Sequence, residues 1–294
     1  MTPPPRRTYR HADANGDDEV TAMAAPHRAA VPVGSPDRVL PFVGLVAVGS
    51  VPFWIAGAAD ADPSLGLPVD LPVSALMVVC PLGAAVALTA RDRGVAGVRR
   101  LLRRAVDVER IRPRWRYAPI LWTLPAVAVC SYAVQRLLGR SLPDAGITLG
   151  AVAGFTALYL VSTACEQLGW TAYATDAMLT RHDALTSALV LGVVWALWHV
   201  LPYLQAGRSP AWIVWQCVFT VALRVVMTSA YLATDRSVAA TILVQTTADV
   251  SWSLFPRFGS HYDPAITGTL LAAVAVAITL AWGRRTLAPR VRRG

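Results

Sequence analysis

Four ionisable side chains stand where charge is expensive. Glu166 lies in TALYLVSTACEQLGWTAYATDAM, His199 in VVWALWHVLPYL, Arg224 in the apolar stretch about 211–232, and Asp249 in TILVQTTADVSW. A full charge at the centre of a bilayer costs about 2.5–3.5 kcal/mol on insertion scales, so Glu, Arg and Asp left unpaired would cost about 8–10 kcal/mol together. That is the size of a whole domain's stability. These groups must therefore face a protein interior, pair, or change protonation state. Helical spacing arranges them. Gln245 and Asp249 are four apart and share a face with Thr241 and Ser253; Trp195 and His199 are four apart; Glu166, Trp170 and Tyr173 follow one stripe, with Ser162 and Thr163 a turn earlier. Three apolar rods each carry one polar stripe, and their convergence would build a polar pocket inside the membrane.

The chemistry open to such a pocket is narrow. A glutamate and a histidine can activate water, the carboxylate as general base and the imidazole as acid or electrophile. The amide of Gln245 and the carboxyl of Asp249 can position that water or meet a developing oxyanion. No HExxH is present, and His199 is the one histidine inside an apolar run, since His11, His27, His182 and His261 fall in tails or loops. A divalent metal such as zinc stays open, with Glu166, His199 and Asp249 as its candidate ligands. No DDxxD, GxSxG, GxGxxG or GxxxxGK[ST] occurs. Each residue also has a bland reading: a lone histidine as a packing group, Gln and Asp as interhelical glue, Arg224 as a partner of lipid phosphate. Glu, His and Asp on three core helices are harder to explain as glue.

The elements that must hold these groups are membrane helices. Of 294 residues, 55% are hydrophobic and 15% charged, against about 25% charged in an average soluble domain. The apolar residues gather in runs of the ~20 residues needed to cross a bilayer: about 39–59, 71–90, 118–138, 150–179, 184–204, 211–232, 237–255 and 266–283. The expected fold is all-α, a polytopic transmembrane bundle of about eight spans. Residues 1–38, rich in Pro, Ala, Arg and Asp, read as a disordered cytoplasmic tail, residues 39–283 as the transmembrane domain, and 284–294 as a basic cytoplasmic tail. Residues 91–117 hold ten Arg against three acids, with Val95, Val98, Leu101, Leu102, Ala105 and Val106 at helical spacing. They predict a basic amphipathic helix on an anionic leaflet. The first loop (Asp60, Asp62, Asp70) has no Arg, so the positive-inside rule puts both termini in the cytoplasm. The net charge of +9 is Arg at the edges of apolar runs, which speaks for the bilayer as partner and against nucleic acid. Cys80, Cys130, Cys165 and Cys217 fall singly inside apolar runs and read as packing residues.

EQLGWTAYATDAML, GVVWALWHVLPYL and ALRVVMTSAYLATDRSVAATILVQTTADVSW together resemble the CPBP family, the CAAX-protease and bacteriocin-processing (Abi) intramembrane endopeptidases, over roughly 110–255. The family pattern is EExxxR, then [FW]xxxH, then HxxxN/D. Glu166 matches the first Glu, the water-activating residue. Gln167 stands at the second Glu, and Thr171 at the Arg. Trp195 and His199 match the second motif. Gln245 replaces the third-motif His, and Asp249 fits the Asn/Asp position. The resemblance implies a CAAX-protease-like core and hydrolysis of a peptide or lipidated (prenylated) peptide, with Glu166, His199, Gln245 and Asp249 as catalytic set. Gln167, Thr171, Trp195 and Arg224 support them, Arg224 as the source of the missing positive charge. The three departures keep a second reading open, an inactive member acting as scaffold or immunity protein. A third is an acid–base enzyme on a lipid or isoprenoid, with Asp249 as acid. On straight antiparallel helices Glu166 and His199 sit roughly 8 Å apart in depth, an offset that helix tilt would have to close.

Overall fold

The computed structural model describes residues 34, 36–59, 69 and 71–289. Most of the expected N-terminal tail, the acids Asp60, Asp62 and Asp70, and the last five residues lie outside them. Among the described residues the chain forms eight long helices: α1 (Val39–Ala59), α2 (Cys80–Arg103), α3 (Tyr117–Leu137), α4 (Leu149–Gly169), α5 (Ala184–Gln205), α6 (Pro210–Ala233), α7 (Val238–Leu254) and α8 (Pro264–Trp282). Local chemistry sets the starts of five of them. Thr148, Asp183, Ser209, Ser237 and Asp263 each turn a side-chain oxygen onto a free backbone N–H of the first turn.

The bundle is inside-out relative to a soluble protein. Val48, Val129, Leu197 and Leu280 are all more than 60% exposed, whereas Thr163, Gln167, Asp176 and Thr241 are fully buried. That distribution suits a lipid solvent, and the chain is an integral membrane protein. Seven helices are long and apolar enough to cross a bilayer, one fewer than the eight spans expected. The exception is α7. Its 17 residues reach about 25 Å at 1.5 Å per residue, and it carries Thr241, Gln245, Thr246, Asp249 and Ser253. These polar groups are tolerated because α3, α4 and α6 enclose it.

Ion pairs and hydrogen bonds at the helix ends fix the antiparallel order. Arg38 at the start of α1 pairs with Asp92 on α2 at 3.3 Å. Arg104, just past α2, pairs at 2.8 Å with Asp176, just past α4. Arg116, before α3, donates to the Ala233 carbonyl at the end of α6. Arg284, after α8, pairs at 2.8 Å with Asp183, before α5. One end of the bundle thus gathers the starts of the odd helices and the finishes of the even ones. At the other end Arg140, after α3, pairs with Asp263, before α8.

The basic segment departs from the expected surface helix. It continues α2 and bends at Gly94, whose φ of 61° and ψ of −166° suit a residue without a Cβ. It then breaks into short 3-10 turns (Arg104–Val106, Val108–Arg110, Arg114–Arg116). Leu101, Arg104, Asp107 and Ile111 are buried, so the segment closes one end of the bundle, while Val95, Leu102 and Val106 face outward.

Candidate active site

The end of α4 and the helical turns that follow it supply the centre. From Glu166 to Met178 every residue is buried, and Trp170–Thr175 is π-helical. An extra residue in that turn changes which side chains point at which neighbour, a distortion frequent at functional sites. Thr175 steadies it by donating to the Trp170 carbonyl at 2.8 Å. One turn earlier, Glu166 accepts two hydrogen bonds. Trp195 on α5 donates its indole N–H to Oε2 at 2.8 Å, and Gln245 on α7 donates its amide to Oε1 at 2.9 Å.

Behind Glu166 runs a directional chain of neutral donors and acceptors. Thr171 donates to Oε1 of Gln167 at 2.6 Å, and the Gln167 amide donates to Oε1 of Gln245 at 2.5 Å. Arg224 enters from α6, donating to Gln167 Oε1 at 3.0 Å and lying over the Trp195 ring at 4.2 Å. Gly192 makes room for this: a Cβ there would meet the Arg224 Cβ at 3.2 Å. The guanidinium therefore occupies the neighbourhood of Thr171, from a different helix than the family's EExxxR motif uses. Among the described residues its Nε and second NH2 have no hydrogen-bond partner.

Among the described residues no hydrogen bond joins His199 to Glu166 directly, and a gap lies between them. Trp195 spans it. Its indole reaches Glu166, while its backbone carbonyl meets His199 Nδ1 at 2.9 Å. A carbonyl oxygen only accepts, so Nδ1 carries a proton. In the neutral ring Nε2 is then a bare acceptor. The ring is held between Trp198, at a centroid distance of 4.7 Å, and Tyr203, stacked at 5.9 Å.

Glu166, His199, Gln245 and Asp249 all line one cavity of about 230 Å³. Its floor is polar and its walls are mostly apolar, with Tyr203, Trp212, Trp252 and Tyr262 toward the mouth. Tyr262 lies outside the spans, and burial raises its hydroxyl well above the usual tyrosine range, so it stays a neutral donor, bonded to Gln216 at 3.1 Å. The three proposed metal ligands do not converge: among the described residues no three His, Cys, Asp or Glu stand close enough to hold a metal ion. Two of the Glu166 oxygens' lone-pair positions are taken by Trp195 and Gln245, while Glu166 and His199 both face the cavity.

Residues 148–251, from the cap of α4 to within α7, match the Rce1-like family, described as type II CAAX prenyl endopeptidase Rce1-like. That match covers the helices bearing Glu166, His199, Arg224, Gln245 and Asp249, and leaves out α1–α3 and α8. No curated protein matches the sequence.

One polar centre escaped the sequence reading. Asp176, fully buried, receives Arg104 at 2.8 Å, Arg236 at 3.0 Å and the Tyr231 hydroxyl at 2.7 Å. Arg104 also donates to Tyr231 at 2.6 Å and to the Ala172 carbonyl in the π-turn at 3.2 Å. Nearby, Asp107 caps α7 through the Ser237 hydroxyl at 2.8 Å and the Ala239 N–H at 3.0 Å. This clamp sets how α7 sits on α4, and so where Gln245 meets Glu166. Its signal was present: Asp176 is a second acid in the apolar segment of Glu166.

Proposed function

We propose that this protein is an intramembrane endopeptidase in which Glu166 and His199 hold and activate water. The carrying observation is that Glu166 is oriented by two donors from two other helices and shares its cavity with His199. The carboxylate lone pairs not used by Trp195 and Gln245 take a proton from the water. His199 Nε2 accepts the water's other hydrogen and aims its lone pair at the peptide carbonyl. The C–O bond forms, the C–N bond breaks, and the proton held by Glu166 passes to the leaving nitrogen. Asp249 borders the site next to Gln245 and faces the substrate. Arg224 is a positioning residue: it anchors Gln167, which orients Gln245, which orients Glu166. The substrate is a peptide or lipidated peptide whose apolar part lies along the cavity walls.

The test is hydrolysis of candidate peptides by purified protein in detergent, compared with Glu166→Gln and His199→Ala. Losses of about 10²–10⁴-fold are expected for removal of a general base or its partner. Equal activity in the variants overturns the assignment. The closed amide chain Thr171–Gln167–Gln245 favours one rival, a non-hydrolytic scaffold or immunity protein. That rival requires Glu166→Gln to complement a deletion strain at normal protein level.

A further inference from the structure

The cavity opens at one particular end of the bundle. Its polar residues include Glu166, near the middle of the Leu149–Met178 span, and Gln245, near the middle of α7. From there its lining runs to Leu71 and Pro72 before α2, Ala206 after α5, Trp212 at the start of α6 and Tyr262 between α7 and α8. All of these belong to the end that joins Arg140 to Asp263. The opposite end is closed by the basic segment and by the Arg104–Asp176–Tyr231 clamp.

Charge divides the two ends unequally. Among the described residues, fifteen arginines belong to the closed end, in 36–38, 91–116, 181, 236 and 284–285. Four, Arg136, Arg140, Arg208 and Arg257, belong to the open end. A bias of that size, counted next to the spans, places the arginine-rich end in the cytoplasm. The mouth then faces away from the cytoplasm. Two of its walls also reach the bundle surface, since Leu76 is 44% and Leu158 39% exposed while both line the cavity.

We infer that the site receives its substrate from the extracytoplasmic side, as the apolar segment of an exported peptide or lipid-anchored chain in the outer leaflet. This rests on the endopeptidase reading for what happens to the substrate, and on the structure's asymmetry for where it comes from. The tyrosine and tryptophan collar suits that position, because such rings favour the membrane–water boundary.

Orientation and hydrolysis are tested separately. Single cysteines are introduced at Ser260 (Ser260→Cys) beside the mouth and at Arg99 (Arg99→Cys) on the closed end, with Cys80, Cys130, Cys165 and Cys217 replaced by alanine. If that background does not accumulate, the same changes are read against the unchanged chain. On intact cells a membrane-impermeant maleimide should label Ser260→Cys, and should label Arg99→Cys only after permeabilisation. The reverse pattern overturns the inference whatever the enzyme does. A fluorogenic peptide with an apolar stretch is then presented to one face at a time in sealed vesicles of known orientation. Cleavage from the outer face supports the inference, and cleavage only from the cytoplasmic face overturns it. Cleavage from neither face counts against the endopeptidase reading, and the labelling still decides the orientation.

Discussion

The replacement of a family Glu by Gln167 and of a family His by Gln245 is one change rather than two, and a double-mutant cycle tests this. In the structure the Gln167 amide donates to the Gln245 carbonyl at 2.5 Å, and the Gln245 amide donates to Glu166 at 2.9 Å. Gln167→Glu alone turns the first contact into oxygen facing oxygen. The buried Gln245 carbonyl loses its donor, at a cost of about 1–3 kcal/mol. Gln245 cannot reverse its amide, because its carbonyl would then face Glu166. Gln245→His alone is tolerated: one ring nitrogen accepts from Gln167 and the other donates to Glu166. Combined, the charged ring donates to both carboxylates, and Arg224, 3.0 Å from the Gln167 oxygen, balances the added charge. The expected coupling is about 1–3 kcal/mol in favour of the double variant. Thermal and denaturant unfolding of wild type, both singles and the double in one detergent measure it. Additivity within about 0.5 kcal/mol, the range for independent sites, refutes the reasoning.

Asp176→Asn removes the counter-charge of buried Arg104 and should cost about 3–5 kcal/mol, against about 1–2 kcal/mol for Tyr231→Phe, which loses hydrogen bonds but no charge. Equal losses in thermal unfolding would show that the clamp is not electrostatic. Trp195→Phe keeps a ring under Arg224 but removes the donor to Glu166. It should lower kcat by about 10–100-fold, the effect of roughly 1.4–2.8 kcal/mol of lost orientation, with KM little changed; an unchanged kcat refutes the orienting role. Asp183 caps α5 and pairs with Arg284, and its carboxyl is held below the usual range, first by the Thr186 N–H and less by the arginine. A depressed carboxyl adds stability above its unfolded pKa of about 3.9 and loses it as pH falls through the folded value. The gap between wild type and Asp183→Asn, about 0.5–1 kcal/mol at pH 7 for a cap, should therefore close below about pH 4. A gap independent of pH would refute it.

The bundle was legible in the linear chain because a bilayer accepts only long apolar runs; seven of the eight runs lie where long helices do, and the run at 71–90 covers a 3-10 stretch and only the first half of α2. The Glu166, Trp195–His199 and Gln245–Asp249 stripes were legible for the same reason: a polar group in such a run must face inward, and a four-residue spacing puts two groups on one face. What sequence could not supply was every relation between helices. That Arg224 reaches Gln167, that Trp195 rather than His199 bonds Glu166, and that three candidate metal ligands fail to converge all follow from how the helices pack, including the π-turn and the close approach at Gly192. Those depend on packing between segments far apart in the chain. The membrane-spanning character of this protein was determined by composition and run length alone. The orientation of its buried carboxylate, and the end at which its cavity opens, were decided only by tertiary structure, because direction in space is set by neighbouring helices and not by spacing along one.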